Sequence, residues 1–345
     1  MIELEISEQQ VITTLGWFRT RYALFLGLEL SRKADKQSIE EFGKFWIGDF
    51  KQDWDNAFTT LCEKKILTLH NGEYQLSEYG DSIKKELDAQ TPFYKYEYDN
   101  YFLREQHSAA HSRFCKEVYG EDLSQHGLIN QYELSFLIEE LRQANCKKIV
   151  DIGCGNGKIT EWISQQTNTV ILGVDISSQG IAAAQERTKH NPKLQFQIAN
   201  LNTIELPDTY DAVLFLDTLY YSNNILKTIE LACKACNSSG YIYAYFSQWI
   251  MDESQKEYLN ANATILARVA QELKLEFTAI NLTDSGINHW KKKLDVLNKL
   301  HDEFINEGNN ELWEYRYNEA LRYASWEDKK YARYLYTLKP NNNMN

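Results

Sequence analysis

The sequence predicts an α/β protein whose larger part is a doubly wound sheet, with a mainly helical domain ahead of it. Two observations carry this reading. From Lys147 onward short apolar runs alternate with stretches of helical periodicity, the order of a parallel sheet covered by helices on both faces. Before that point apolar residues recur every three or four positions, and one strong hairpin signal stands at Asn71-Gly72. A chain of 345 residues suits two domains, and its 43% apolar content is ample for packed cores.

In the first ninety residues, Val11, Leu15, Phe18, Tyr22 and Phe25 follow helical spacing, and a later helix carries Trp54, Phe58 and Leu61. Two short strands then flank Asn71-Gly72. Helices closed by such a wing look like a winged-helix domain over residues 1–90. Residues 1–90 hold 11 Lys/Arg and 16 Asp/Glu, a net of −5, whereas a DNA reader should be basic. A packing or dimerising role suits that charge better.

Residues 91–140 are tyrosine-rich and read as a helical connector or lid. Pro92 marks its start, because the residue before a proline avoids the helical region. Tyr94, Tyr98 and Tyr101 fall at helical spacing, and His107 and His111 fall four apart on one face of the expected helix.

The core spans 141–345. Strands are expected at 148–151, 169–175, 194–199, 211–216, 241–246, 276–282 and 332–338, with helices between them. A long helix is expected over about 252–273, and a charged, aromatic helical insertion over about 285–328.

The net charge of −12 disfavours nucleic acid as a partner, since phosphate binding needs a basic surface. The start lacks a basic segment followed by an apolar one, and no run of about 18 apolar residues suits a membrane span. With six irregularly placed cysteines, the expected compartment is the cytoplasm. Cys233 and Cys236 form a lone CxxC without the further ligands zinc requires, so no metal is expected.

The chemistry lies in Asp151-Ile152-Gly153-Cys154-Gly155-Asn156-Gly157, between the first core strand and a helix. Glycines allow positive φ and close approach to a ligand, and the helix start offers free N–H groups. Asp175, about twenty residues on at the end of the second core strand, is placed to accept ribose hydroxyls. An acid at Asp151 repels a pyrophosphate but suits a ligand bearing an ammonium group.

These residues resemble the class I S-adenosylmethionine-dependent methyltransferases over about 147–248. The resemblance implies a Rossmann-like seven-stranded sheet with an antiparallel last strand. It implies that Asp151, Gly153, Cys154, Gly155, Asn156, Gly157, Asp175 and Ile176 hold S-adenosyl-L-methionine. Asn200 and Leu201 fall where the family often has an acid near the adenine amino group, and Asn200 departs from that acid. Leu216, Asp217 and Tyr220 resemble the fourth-strand segment whose end faces the methyl group. A winged-helix-like domain in this family commonly dimerises, which implies a homodimer.

Methyl transfer from a sulfonium is an in-line displacement, so much of the catalysis can come from positioning in a dry pocket. His111, His107, Tyr220 and His289 are the candidate catalytic residues. Tyr98, Tyr101, Tyr220, Trp290 and Arg316 are the candidate substrate residues, and Glu307 joins Trp290 and Arg316 as a candidate lid. The expected reaction is methylation at N or O of a small aromatic or amine-bearing metabolite. A peptide acceptor, a ligand-responsive DNA-binding regulator and an inactive scaffold stay open as alternatives.

Overall fold

The computed structural model describes residues 3–18, 33–47, 54–90, 92–250, 253–324 and 330–340. The chain forms two compact units, Met1–Leu103 and Arg104–Asn345. The expected connector 91–140 is divided between them.

The first unit begins with helices α1 (Ile6–Phe18), α2 (Lys36–Ile47) and α3 (Trp54–Glu63). Their apolar stripes meet in a core that includes Val11, Leu15, Ile39, Phe58 and Leu61. The expected helix positions Tyr22 and Phe25 lie outside the described residues. Strands β1 (Leu67–His70) and β2 (Glu73–Leu76) pair antiparallel with His70 opposite Glu73. Asn71 and Gly72 have φ of +54° and +79°, as a two-residue hairpin turn requires. Helix α4 (Glu78–Gln90) follows, and α5 (Phe93–Glu105) starts in this unit.

The second unit opens with α6 (Ala109–Tyr119) and α7 (Gln131–Gln143). Ser108 accepts a hydrogen bond from the His111 amide at 2.9 Å and caps α6. His107 therefore precedes the helix, in an exposed turn, and does not share a helical face with His111 as expected.

A seven-stranded sheet then forms from β3 (Lys148–Ile152), β4 (Val170–Asp175), β5 (Leu194–Ile198), β6 (Tyr210–Leu216), β7 (Cys236–Trp249), β8 (Glu276–Asn281) and β9 (Tyr331–Lys339). The spatial order is β5-β4-β3-β6-β7-β9-β8, and β9 runs antiparallel to both of its neighbours. The expected strand count and the antiparallel last strand hold.

Helices α8 (Lys158–Thr167), α9 (Ser178–Thr188), α10 (Ile225–Ala235) and α11 (Ile265–Glu272) connect the strands. Alternation along the strands fills two cores, one per face. Val213, Phe215, Ala244 and Phe246 pack on one side with Ile229 and Leu266. Ala212, Leu214, Tyr243 and Tyr245 pack on the other with Leu137, Leu141 and Ile163. A sheet buried on both faces explains the continuous apolar runs.

Two expectations are corrected. The long helix at 252–273 is a 3-10 segment, Glu253–Leu259, followed by α11. Thr264 breaks it by accepting from the Ala267 amide and capping α11. The insertion begins at Thr283, two residues earlier than expected, and consists of α12 (Thr283–Asn306) and α13 (Asn310–Ala324). These helices pack on each other, and α12 packs on α6.

Candidate active site

The glycine-rich loop leaves β3 with Gly153, Gly155 and Gly157 at φ of +83°, +58° and +73°, a region costly for other residues. It is also pressed from two sides. A Cβ at Gly153 would lie 2.3 Å from Thr218 Cγ2, and one at Gly157 would lie 2.5 Å from Phe196 Cε1. The loop thus nestles between the end of β6 and the ring on β5.

Asp175 at the end of β4 fixes the loop. Its Oδ2 accepts from the Gly155 amide and its Oδ1 from the Ser177 amide, both at 2.8 Å. A carboxylate is an acceptor that can take several donors at once. Ile176 is half-buried beside it.

Asp151 is buried. Its Oδ2 accepts from Thr160 Oγ1 at 2.6 Å, while its buried Oδ1 has no hydrogen-bond partner among the described residues. Burial, aided by nearby Asp175, lifts its carboxyl to about 7. An ammonium group at Oδ1 would complete this site, so the residues present fit a methionyl ligand.

Asn156 Nδ2 donates to Glu105 Oε1 at 2.6 Å, and its carbonyl accepts from Arg187 Nη2 at 2.7 Å. His111 is buried with Nδ1 3.6 Å from Glu105 Oε2. Burial, with Arg316 and Lys158 nearby, holds its pKa well below the usual histidine value, so the ring is neutral. Burial pushes the Cys154 thiol well up, which removes it as a nucleophile. Asn200 Oδ1 accepts from the Asn202 amide at 2.9 Å, and Leu201 and Leu216 are half-buried.

Asp217 follows β6 at φ +61°. Arg333 Nη1 and Nη2 donate to its two oxygens at 2.6 and 3.0 Å, and the Leu128 amide donates to Oδ2 at 3.0 Å. The same guanidinium grips Glu133 Oε2 through Nε at 3.1 Å and Nη2 at 2.9 Å. Sequence reasoning missed Glu133 and Arg333. An arginine amid the aromatic run of β9 was the available signal, but its partner lies 200 residues away.

Tyr220 has a partly exposed ring stacked on Phe246 with centroids 5.4 Å apart. Its hydroxyl points inward and accepts from the Ser247 amide at 2.5 Å. Tyr98 and Tyr101 belong to the first unit, where both rings lie against Phe102.

Arg316 and Glu307, expected in a lid, both make internal hydrogen bonds. Arg316 is buried and donates to Tyr119 Oη, Gln125 O and His126 O at 2.7–2.9 Å. Glu307 accepts from Ser108 Oγ at 2.7 Å and the Ala110 amide at 2.8 Å, so it serves the start of α6. Trp290 and His289 are buried on α12. Burial, then Lys293 and Arg333, holds the His289 pKa well below its usual value. Cys233 and Cys236 are buried thiols raised by burial.

Residues 149–240 match a family model described as a methyltransferase domain. The chain is 28% identical over 136 residues to a ubiquinone biosynthesis O-methyltransferase of Aliivibrio fischeri, covering 39% of this chain and 56% of that protein. It is 31% identical over 99 residues to the mitochondrial ubiquinone biosynthesis O-methyltransferase of Schizosaccharomyces pombe, covering 27% of this chain and 36% of that one. It thus spans about a third to just over half of these relatives' lengths. Among solved structures it resembles phosphoethanolamine N-methyltransferase 2 of Haemonchus contortus, with a TM-score of 0.56 and 14% identity over 71% of this chain and 60% of that one.

Sheet order and glycine loop define the α/β core as a methyltransferase fold with its ligand loop at the carboxyl end of the strands. Residues 149–240 of that core carry the methyltransferase domain, in agreement with the resemblance to class I S-adenosylmethionine-dependent methyltransferases.

Proposed function

We propose that this chain transfers the methyl group of S-adenosylmethionine to a small-molecule acceptor. The observation that carries the reading is the pairing of Asp151, with an unpartnered buried oxygen, and Asp175, which braces the glycine loop. Asp151 would hold the donor's ammonium, Asp175 its ribose, and the Gly153–Gly157 backbone its amino-acid end. Asn200 and Leu201 would flank the adenine. When bound, the donor supplies an electrophilic methyl group. The protein orients it and excludes water.

The acceptor would enter between the loop, the end of β6 and the insertion helices, with His111 and Tyr220 in reach of that space. The first unit, read as winged-helix-like, would supply a dimer contact. Its acidic sequence speaks against DNA as the partner.

Equilibrium dialysis with labelled S-adenosylmethionine tests the reading. Wild type should bind, while Gly153→Arg and Asp175→Ala should bind at least about tenfold more weakly, as each removes a positioned contact or fills the cradle. Equal binding by all three proteins, or none by wild type, sinks it.

A further inference from the structure

Outside the glycine loop, the second unit also buries a group of polar side chains centred on Lys293. Its side chain is 1% exposed. Nζ donates to Gly127 O at 3.1 Å and lies 3.8 Å from Glu319 Oε2. It also lies 4.2 Å from the centre of the Trp290 ring and 5.6 Å from that of Tyr119. The His289 ring, one helical turn before Lys293 on α12, stands 4.7 Å from the Tyr119 ring.

Three atoms around this lysine have no hydrogen-bond partner among the described residues: His289 Nε2, Trp290 Nε1 and Glu319 Oε2. His289 and Trp290 are 3% and 6% exposed, so solvent does not satisfy them at the surface. Unpaired buried polar groups are costly and few in native proteins.

The cluster adjoins the end of β6. Gly127, whose carbonyl receives Lys293, is so close to Asp217 that a Cβ would come within 2.9 Å of Oδ2. Asp217 is followed by Thr218, which packs on Gly153 of the cofactor loop. One chain of contacts therefore runs from Lys293 to the loop proposed to hold the methyl donor.

We propose that Lys293 accepts the proton of a hydroxyl-bearing acceptor, so that the enzyme methylates oxygen and not an amine. This rests on the methyltransferase reading above and deepens it. The residues offer one fixed N–H donor, Trp290 Nε1, and basic nitrogens on Lys293 and His289, the set that suits an oxygen becoming anionic. A neutral amine develops positive charge as it attacks, so it gains nothing from the Trp290 N–H and is opposed by the nearby Arg316 cation. In the step, the acceptor's O–H bond breaks and its proton passes to Nζ. The oxygen–carbon bond forms, and the electron pair of the donor's carbon–sulfur bond stays on sulfur. Glu319, only partly covered, offers the proton a way to solvent.

Every charged or titratable neighbour bears on the lysine. Burial lowers its pKa to about 7, opposed by Glu319 on α13. Arg316 on α13 lowers it, while Asp217 after β6 and Cys115 on α6 raise it. His289, Tyr119 and the His126 carbonyl complete the surroundings.

The test compares wild type with Lys293→Met, Lys293→Arg and Glu319→Gln, using catechol, 4-hydroxybenzoate and 4-aminophenol as probes. Donor binding is measured by dialysis, and catechol binding on protein saturated with S-adenosylhomocysteine. Wild type should place the methyl on oxygen, including that of 4-aminophenol, with a rate that falls below about pH 7. Lys293→Met should bind the donor normally, bind catechol about tenfold more weakly and turn over about a hundredfold more slowly. Lys293→Arg should not rescue turnover, since a guanidinium cannot take the proton. Removing the Glu319 charge should shift the acid limb to lower pH, and this arm decides the matter if Lys293→Met fails to fold.

Methylation at nitrogen overturns the proposal, as does Lys293→Met within twofold of wild type or no transfer to any oxygen probe by donor-bound protein. Failure of wild type to bind the donor instead overturns the methyltransferase reading itself.

Discussion

Arg333 on β9 and Asp217 at the end of β6 meet through two N–H···O contacts, at 2.6 and 3.0 Å, although 116 residues separate them. The arginine also holds Glu133, so two buried carboxylates depend on one cation. Asp217 sits at the strand end where the methyl group is expected, and this anchor fixes its backbone at a positive φ.

Arg333→Met leaves Glu133 and Asp217 buried without their counter-ion. The expected loss of stability is about 3–5 kcal/mol, read from urea unfolding at pH 7. Adding Glu133→Gln and Asp217→Asn to the same protein should restore part of it. A loss under about 1 kcal/mol, the value typical of exposed pairs, would show that the pair is screened.

Gly153→Ala meets two obstacles, a positive φ and the Thr218 methyl. We expect a stability loss of about 1–3 kcal/mol together with weaker donor binding. Gly153→Ala/Thr218→Ser removes the clashing methyl but not the backbone strain. The pair should therefore recover only partly in calorimetry, and full recovery would mean that strain plays no role.

Asp151 gives a pH dependence of opposite sign to that of an ordinary salt-bridged acid. Burial raises its carboxyl to about 7 in the folded state, so the folded protein holds this proton more tightly than the unfolded chain. Its contribution to stability is present at low pH and is lost as pH rises from the ordinary carboxyl range through about 7. A donor ammonium favours the ionised form, so donor affinity should rise with pH until about 7 and then level off. Titration calorimetry across pH 5.5–8 would detect this, and Asp151→Asn should bind weakly with no such slope.

His111 acts in the other direction. Its folded pKa lies well below 6.5, so the unfolded chain gains a proton that the folded protein excludes. The stability it contributes is complete above the usual histidine value and is lost as pH falls through and below it. His126 and His289 are shifted the same way. His111→Gln should therefore shrink, without abolishing, the fall in melting temperature between pH 7 and pH 5.

What could be read in advance was whatever a short run of residues decides alone. Asn71-Gly72 determines its turn through backbone conformation, and Gly153, Gly155 and Gly157 do the same for the loop. The central strands were legible because burial on both faces leaves continuous apolar runs, and the edge strand β5 because its residues alternate. Competition between neighbouring signals was harder to read. His107 and His111 have helical spacing, yet the Ser108 side chain starts the helix after His107. Thr264 interrupts the expected 252–273 helix in the same way. Contacts across long sequence separations were not legible at all. Nothing near Arg316 announces that Tyr119, Gln125 and His126 will enclose it, and Lys293 in a charged stretch reads as solvated until α6 and α13 cover it.

The position of β9 bears on how the molecule can be made. It lies between β7 and β8 but follows both in the chain, after the two insertion helices. A ribosome therefore releases β8 with no strand to pair with, and β7 waits with one side open. Strand edges left unpaired invite other chains. During synthesis the hazard is one of timing, because it lasts until the Tyr331–Lys339 segment emerges and closes both edges at once. Slower translation through the insertion would lengthen that interval and raise the fraction of nascent chains lost to aggregation.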